Sequence, residues 1–314
     1  MATGIIGATG FIGSYLCHHL EEQNPPRIFT RRTANAPYIA GAQIQQGDLL
    51  SGPDCERFAS GLKRIYYLAH TNTPVNSDVD QAADASLNLV PFLTLLSAIR
   101  RLRTRPHLVY FSSGGAVYAP RYPRVPFAEC DPCAPASSYG ILKLAAEQYL
   151  RAAADRDELT ATVLRVGNAY GALLPQYRTQ GLIGVALSQL LHGVPVRVFG
   201  NTENVRDYVH LRDIAAMVAK ASAPRMPFDI VNVGSGCGHS VKDVLAIIED
   251  CYGSAFPIQT EPDSAGWLPE WVVLDSSRAR LEYGWSPITG LRDGIQTLLN
   301  ATRANLSASQ ATAR

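Results

Sequence analysis

In PASSYGILKLAAEQYL, Tyr139 and Lys143 stand four residues apart. On a helix that spacing puts both side chains on one face, a turn apart. A phenol with a pKa of about 10 is a poor acid or base at neutral pH. A nearby ammonium, joined by any further positive charge in the site, stabilises the phenolate and lowers that value. The pair can then move a proton to or from a sugar hydroxyl while a hydride passes at the same carbon. Upstream, FSSGGAVYAP (111–120) ends an apolar run in two hydroxyls, Ser112 and Ser113, followed by Gly114 and Gly115. Strand alternation points successive side chains to opposite faces, so one serine faces a site there and the other can turn away.

A second pattern, GATGFIG, carries Gly7, Gly10 and Gly13. One glycine makes the turn, one lets the backbone approach a pyrophosphate, and one lets helix and strand pack closely. The helix that opens at Phe11 and Ile12 supplies free N–H groups and a favourable dipole for phosphates. A purely structural glycine turn is the alternative. The acidic residue that would hold the ribose hydroxyls of NAD is missing: the second strand runs RIFTRRT, with Thr30, Arg31 and Arg32. Arginines suit a 2′-phosphate, so the cofactor expected is NADP or NAD, with NADP favoured; a solvated basic turn is the other reading. Asp48, before Leu49 in QQGDLL, is placed to accept from an adenine amino group or to act as a turn residue.

The chain has 314 residues, 46% of them hydrophobic and 18% charged, with a net charge of +1. That balance fits a globular protein with a sizeable core and gives no nucleic-acid or polybasic membrane footprint. No apolar run in the sequence approaches the roughly 20 residues of a membrane span. Six cysteines are scattered, and only Cys130 and Cys133 form a CxxC. A zinc site needs about four ligands, so no metal is expected, and reduced thiols in a cytoplasmic protein are the simplest reading.

The elements that must position these residues alternate. Strands are expected at 3–7, 27–30, 42–46, 64–69, 107–112 and 160–165, with helices at 11–23, 79–102 and 137–155. This predicts an α/β fold, a Rossmann doubly wound parallel sheet covered on both faces. Residues 1–172 are expected to form the NAD(P)-binding domain, with 202–234 returning to it. Residues 173–314 form a smaller, partly interleaved α+β substrate domain.

Taken together, the motifs resemble those of the extended short-chain dehydrogenases/reductases, in the NAD-dependent epimerase/dehydratase family. GATGFIG, GDLL, YYLAH, SLNLV, FSSGGAVY, YGILK, LRVGNAYG, VRDYVHLRDIA and LDSSRARLEYGWSP occur in family order. SSGGAVYA and QGLIGVAL are similar to segments of bacterial nucleotide-sugar epimerases encoded with surface-polysaccharide genes. The resemblance implies that Tyr139 and Lys143 are the catalytic pair, with Lys143 also holding the nicotinamide ribose. Leu68, Ala69 and Asn88 would line the cofactor side. By position, Ser112 is taken to face the cofactor and Ser113 to be the catalytic hydroxyl. Asn168 and Arg206 would touch the diphosphate of a nucleotide sugar; for Arg206, an ion pair with Asp207 is the plain alternative. A homodimer through helices 79–102 and 137–155 is also implied.

Three departures stand out. The acidic residue after strand two is absent. No Lys or Arg occurs between Lys242 and Arg278, where relatives carry a second arginine; Trp267 and Trp271 lie there, and either could stack on a base or pack in the core. The position of the epimerases' catalytic Ser or Thr falls on Gly114, so help must come from Ser113, or the glycines widen the site for a bulky sugar substituent. The reaction expected is epimerisation at sugar C4 through a transient 4-keto intermediate. An NADPH-dependent 4-keto-sugar reductase is the alternative. A 4,6-dehydratase is disfavoured, because Gly115 and Ala116 stand where an acid–base pair would be needed. A non-catalytic dinucleotide sensor on the same fold is the reading from another class.

Overall fold

Short apolar runs buried on both faces build the central sheet. In the computed structural model, residues 2–19, 25–33, 41–262 and 269–312 are described, side chains beyond 304 excepted. The first half alternates β1 (Thr3–Ile6), α1 (Phe11–His19), β2 (Arg27–Thr30), β3 (Gln43–Gln46), α2 (Gly52–Ala59), β4 (Arg64–Tyr67), α3 (Gln81–Leu102), β5 (His107–Ser113), α4 (Gly114–Val117), α5 (Ser138–Asp155) and β6 (Thr160–Val166). Then come β7 (Asn168–Tyr170), α6 (Leu182–Leu191), β8 (Val196–Phe199), β9 (Val205–His210), α7 (Leu211–Lys220) and β10 (Phe228–Val233). The chain closes with β11 (Gly238–Ser240), α8 (Val241–Tyr252), β12 (Ile258–Glu261), β13 (Trp271–Val272), α9 (Ser277–Tyr283) and α10 (Leu291–Thr312).

Seven strands form one parallel sheet in the order β10-β6-β5-β4-β1-β2-β3. The order reverses between β1 and β4, the crevice at which doubly wound sheets bind ligands. One face packs Phe58, Phe92, Leu95 and Ile99 of α2 and α3 with Leu150 of α5. The other packs Leu16 of α1 with Ile214, Met217 and Val218 of α7. By length and apolarity α3 could cross a membrane, which the interrupted run in the sequence does not suggest; here its apolar face lies in the core.

The later strands separate from this sheet. β9 is flanked by β11, β13 and β7, and β8 pairs with β12. β10 returns to the main sheet beside β6, while β9, in the same 202–234 stretch, does not. Ala279, Tyr283 and Trp285 also enter the core under the main sheet, a return that sequence spacing did not signal. The Trp285 indole donates to the Asp213 carbonyl at 2.9 Å and holds that return in place.

Candidate active site

The turn after β1 is a cradle into which side chains do not fit. Gly7 has φ +91°, and a Cβ there would lie 2.6 Å from the backbone nitrogen of Ala69. A Cβ on Gly13 would collide with the Gly7 carbonyl, so α1 packs directly on the turn. Phe11 and Ile12, both half-buried, pack against the core, and the backbone N–H groups of the first helical turn have no intrahelical partners. The cradle opens into a cavity of about 650 Å³ lined by Gly7, Gly10, Thr30, Arg31, Arg32, Asp48, Leu49, Leu68, Ala69 and Asn88. Asp48 is exposed at its rim and Oδ1 accepts from the Leu50 N–H at 3.0 Å, so it is a turn residue and cavity-lining at once. Volume, glycine cradle and flanking arginines suit a dinucleotide.

Asn88, on α3, is buried. Its Oδ1 accepts from the Thr71 N–H at 2.7 Å and from the Thr71 hydroxyl at 3.0 Å. It thereby fixes the loop after β4 that forms one wall. His70, in the same loop, lines the cavity and meets the Tyr139 ring edge-on at 4.6 Å. Its Nε2 is sealed from solvent with no hydrogen-bond partner among the described residues. Burial, together with the charge of Lys143, pushes its imidazole down to about 2, so it is neutral. Nothing in the sequence motifs singles it out.

Tyr139 and Lys143 lie in the first turns of α5, where the Ser137 hydroxyl caps the helix by accepting from the Gly140 N–H at 3.2 Å. Lys143 Nζ is 5.5 Å from the centre of the Tyr139 ring. It is 3% exposed, and burial pushes it down to about 7 despite the opposing charge of Glu147. Burial pushes the Tyr139 phenol up to about 12, and the Ser113 hydroxyl beside it offsets only part of that. Both groups share one desolvated site, and desolvation is the largest cause of each shift.

Alternation along β5 separates the two serines. Ser113 faces Tyr139, whereas the buried Ser112 hydroxyl donates to Glu147 Oε1. Glu147 in turn pairs with Arg165 Nη2 at 2.7 Å, both almost fully buried. Ser112 is therefore placed in an interior cluster joining β5, β6 and α5, not in the cavity. Gly114 departs from expectation as well. A Cβ there would lie 2.5 Å from Leu274 Cδ1, so the position points into the small core of Val117, Tyr118, Phe127, Val272 and Leu274. Gly115, by contrast, faces Asn168 Oδ1 and Ser113 Oγ, at 3.4 and 3.8 Å from where a Cβ would be.

Asn168 leads to a second cavity, of about 220 Å³, into which Arg178, Arg197 and Arg206 all reach. Arg206 donates to the Val205 carbonyl at 2.8 Å. Its neighbour Asp207 accepts from the N–H groups of Ser235, Gly236 and Leu274. Arg197 donates to the Gln176 carbonyl at 3.1 Å. Arg178 and Arg197 line this cavity although no motif marks them; their signal in the sequence is only that they flank α6 in QYRTQG and VPVRVFG. Trp271 lies 6.2 Å from Phe127, tilted against it, and packs with the small core; Trp267 falls outside the described residues. Among those residues no cluster of His, Cys, Asp and Glu could hold a metal. Tyr139 thus meets the dinucleotide-sized cavity through His70, and Ser113 approaches the arginine-lined cavity beside Gly115 and Asn168.

Known proteins resemble this chain in sequence and fold. The chain is 28% identical to a UDP-glucose 4-epimerase of Mycolicibacterium smegmatis, over 94% of this chain and 96% of that protein. It is 31% identical to a dTDP-4-dehydro-6-deoxyglucose reductase of Escherichia coli, over 77% and 75% respectively. The crystal structure of Thermus thermophilus UDP-glucose 4-epimerase in complex with NAD superposes with a TM-score of 0.87 at 29% identity, covering 96% of this chain and 99% of that one. The profile of the NAD dependent epimerase/dehydratase family matches residues 4–234, which span the glycine cradle, the Tyr139–Lys143 helix and the Arg206 strand. On the glycine cradle, the paired Tyr139 and Lys143 and the reach of that match, this chain belongs to the NAD dependent epimerase/dehydratase family.

Proposed function

We propose that this chain is a nucleotide-sugar epimerase that inverts sugar C4 through a transient 4-keto sugar. The observation that carries the reading is that Tyr139, with Lys143 beside it, meets one cavity through His70 while Ser113 approaches the other through Asn168. Gly7, Gly10 and the N-terminus of α1 would hold a nicotinamide dinucleotide, which would supply oxidation at C4 and the return of the same two electrons. Tyr139 takes the proton from the C4 hydroxyl and gives it back. Ser113 holds that oxygen beside the phenol, and Lys143 orients the ribose and favours the phenolate. Asn168 and the forks of Arg206, Arg178 and Arg197 grip the diphosphate, leaving the sugar free to present either face. Gly115 keeps room beside Ser113 for that turn.

Arg31 and Arg32 favour NADP over NAD, because both line the cavity, are exposed and have no carboxylate partner among the described residues. This same feature supports the second reading, an NADPH-dependent reductase of 4-keto sugars. Leu87 and Val90 on α3, with Ile141 and Tyr149 on α5, are exposed apolar side chains that suit a homodimer through these helices. All six thiols are free, which fits the cytoplasm.

The test is purified protein with a panel of UDP-, GDP- and dTDP-sugars, read by product NMR. Inversion at C4 with no net change in cofactor supports the epimerase. Stoichiometric loss of NADPH with a 4-keto sugar, and no inversion, would replace it with the reductase.

A further inference from the structure

Buried polar residues in the first turns of α3 form a chain of hydrogen bonds. Asp84 has no exposed surface, and a buried carboxylate is tolerated only when its oxygens are hydrogen-bonded. Oδ1 accepts from Asn88 Nδ2 at 2.7 Å and from Asn72 Nδ2 at 2.8 Å. Oδ2 accepts from the Ser138 hydroxyl at 2.6 Å. Ser138 immediately precedes Tyr139, and its own N–H donates to Asp78 Oδ1 at 3.1 Å.

These partners fall on two sides. Asn88 holds Thr71, and both line the dinucleotide cavity. Ser138 opens the helix that carries Tyr139. One carboxylate therefore ties the wall of the cavity to the phenol. Charge-assisted bonds of this kind are short and strong, and fixing a reacting group's geometry is itself worth rate. We propose that Asp84 is a positioning residue that couples the cofactor-cavity wall to Tyr139, acting through Asn88 on one side and Ser138 on the other. The inference rests on the proposed reaction.

The test compares Asp84→Asn, Ser138→Ala and Ser138→Thr in the full-length protein. Turnover is measured per folded site, and NADPH and NADH affinities are measured separately by fluorescence titration. Ser138→Ala should lower kcat about tenfold while leaving dinucleotide affinity and the sugar KM within about twofold, as loss of one charge-assisted hydrogen bond implies. Ser138→Thr, which keeps the hydroxyl, should restore most of kcat. Asp84→Asn should lower kcat and weaken the dinucleotide together, because it disturbs both sides. A kcat unchanged in Ser138→Ala, or a Ser138→Thr no better than Ser138→Ala, would overturn the proposal even if Asp84→Asn does not fold. Wild-type protein that binds neither dinucleotide would sink the underlying reading as well; wild-type turnover with indifferent variants would sink only the coupling.

Discussion

Lys143 donates from Nζ to the carbonyl oxygen of Phe111 at 2.8 Å. That bond ties helix α5 to strand β5 just before Ser112 and Ser113, so the lysine, the phenol and the serine hydroxyl share one rigid frame. It also keeps an ammonium in a nearly dry site, and the charge is correspondingly costly.

Lys143→Met should abolish turnover yet stabilise the fold at neutral pH and below. The amine titrates near its ordinary 10.5 when unfolded and at about 7 in the fold. Between those values the unfolded chain holds a proton that the folded chain does not, so this group makes stability rise with pH from about 7 to about 10.5. Its burial cost is full below pH 7 and gone above that window. Thermal midpoints measured from pH 6 to 10 should show the variant's advantage shrinking as pH rises. An advantage that grows with pH would contradict the assigned shift.

Gly114→Ser should destabilise by about 1–3 kcal/mol, the usual cost of overpacking, because its Cβ meets Leu274. It should leave sugar selectivity unchanged, since the position does not face the substrate side. Ser113→Ala, in contrast, should lower kcat by about 10²-fold with little loss of stability. Denaturant titration and kcat for both variants check the pair; a Gly114→Ser protein that is stable and faster would restore the expectation drawn from the family.

Arg178→Ala and Arg206→Ala should each raise the KM for the nucleotide sugar about tenfold or more, as expected for lost hydrogen bonds to a charged diphosphate. Cofactor affinity should not move, because these side chains line the other cavity. Isothermal titration with a UDP-sugar and with NADPH separates the two effects. An Arg178→Ala variant with normal sugar binding would return the problem of the missing second arginine.

The double variant Arg31→Ala, Arg32→Ala should weaken NADPH binding and spare NADH, as removal of partners for a 2′-phosphate requires. Fluorescence titration of both reduced cofactors checks this. Wild-type protein that binds NADH as tightly as NADPH would remove the preference.

Much of this site is legible in the residues themselves. RIFT is a strand over the expected residues 27–30, and Tyr139 and Lys143 share a face because helical spacing demands it. GATGFIG reads as a cradle because a Cβ cannot enter it. Alternation foretold that Ser112 and Ser113 would part company; only the buried Glu147–Arg165 pair decides which one turns inward. What stayed hidden depends on contacts between distant segments. His70 against Tyr139, Asp84 against Ser138, and Gly114 against Leu274 are meetings that no local pattern encodes. The raised phenol and lowered lysine belong with these: charge attraction is visible in a motif, while desolvation is a property of the assembled core.

The central claim is that the electrons removed from C4 return to C4 of the same sugar, with Tyr139 shuttling the proton. A nucleotide sugar carrying deuterium at C4, incubated with protein and catalytic NADP or NAD and read by NMR, tests it most directly. The account predicts inverted product with deuterium still on C4, and a rate about 10²–10⁴-fold lower in Tyr139→Phe. Deuterium lost stoichiometrically to the dinucleotide with a 4-keto sugar accumulating, or full turnover by Tyr139→Phe, would contradict it.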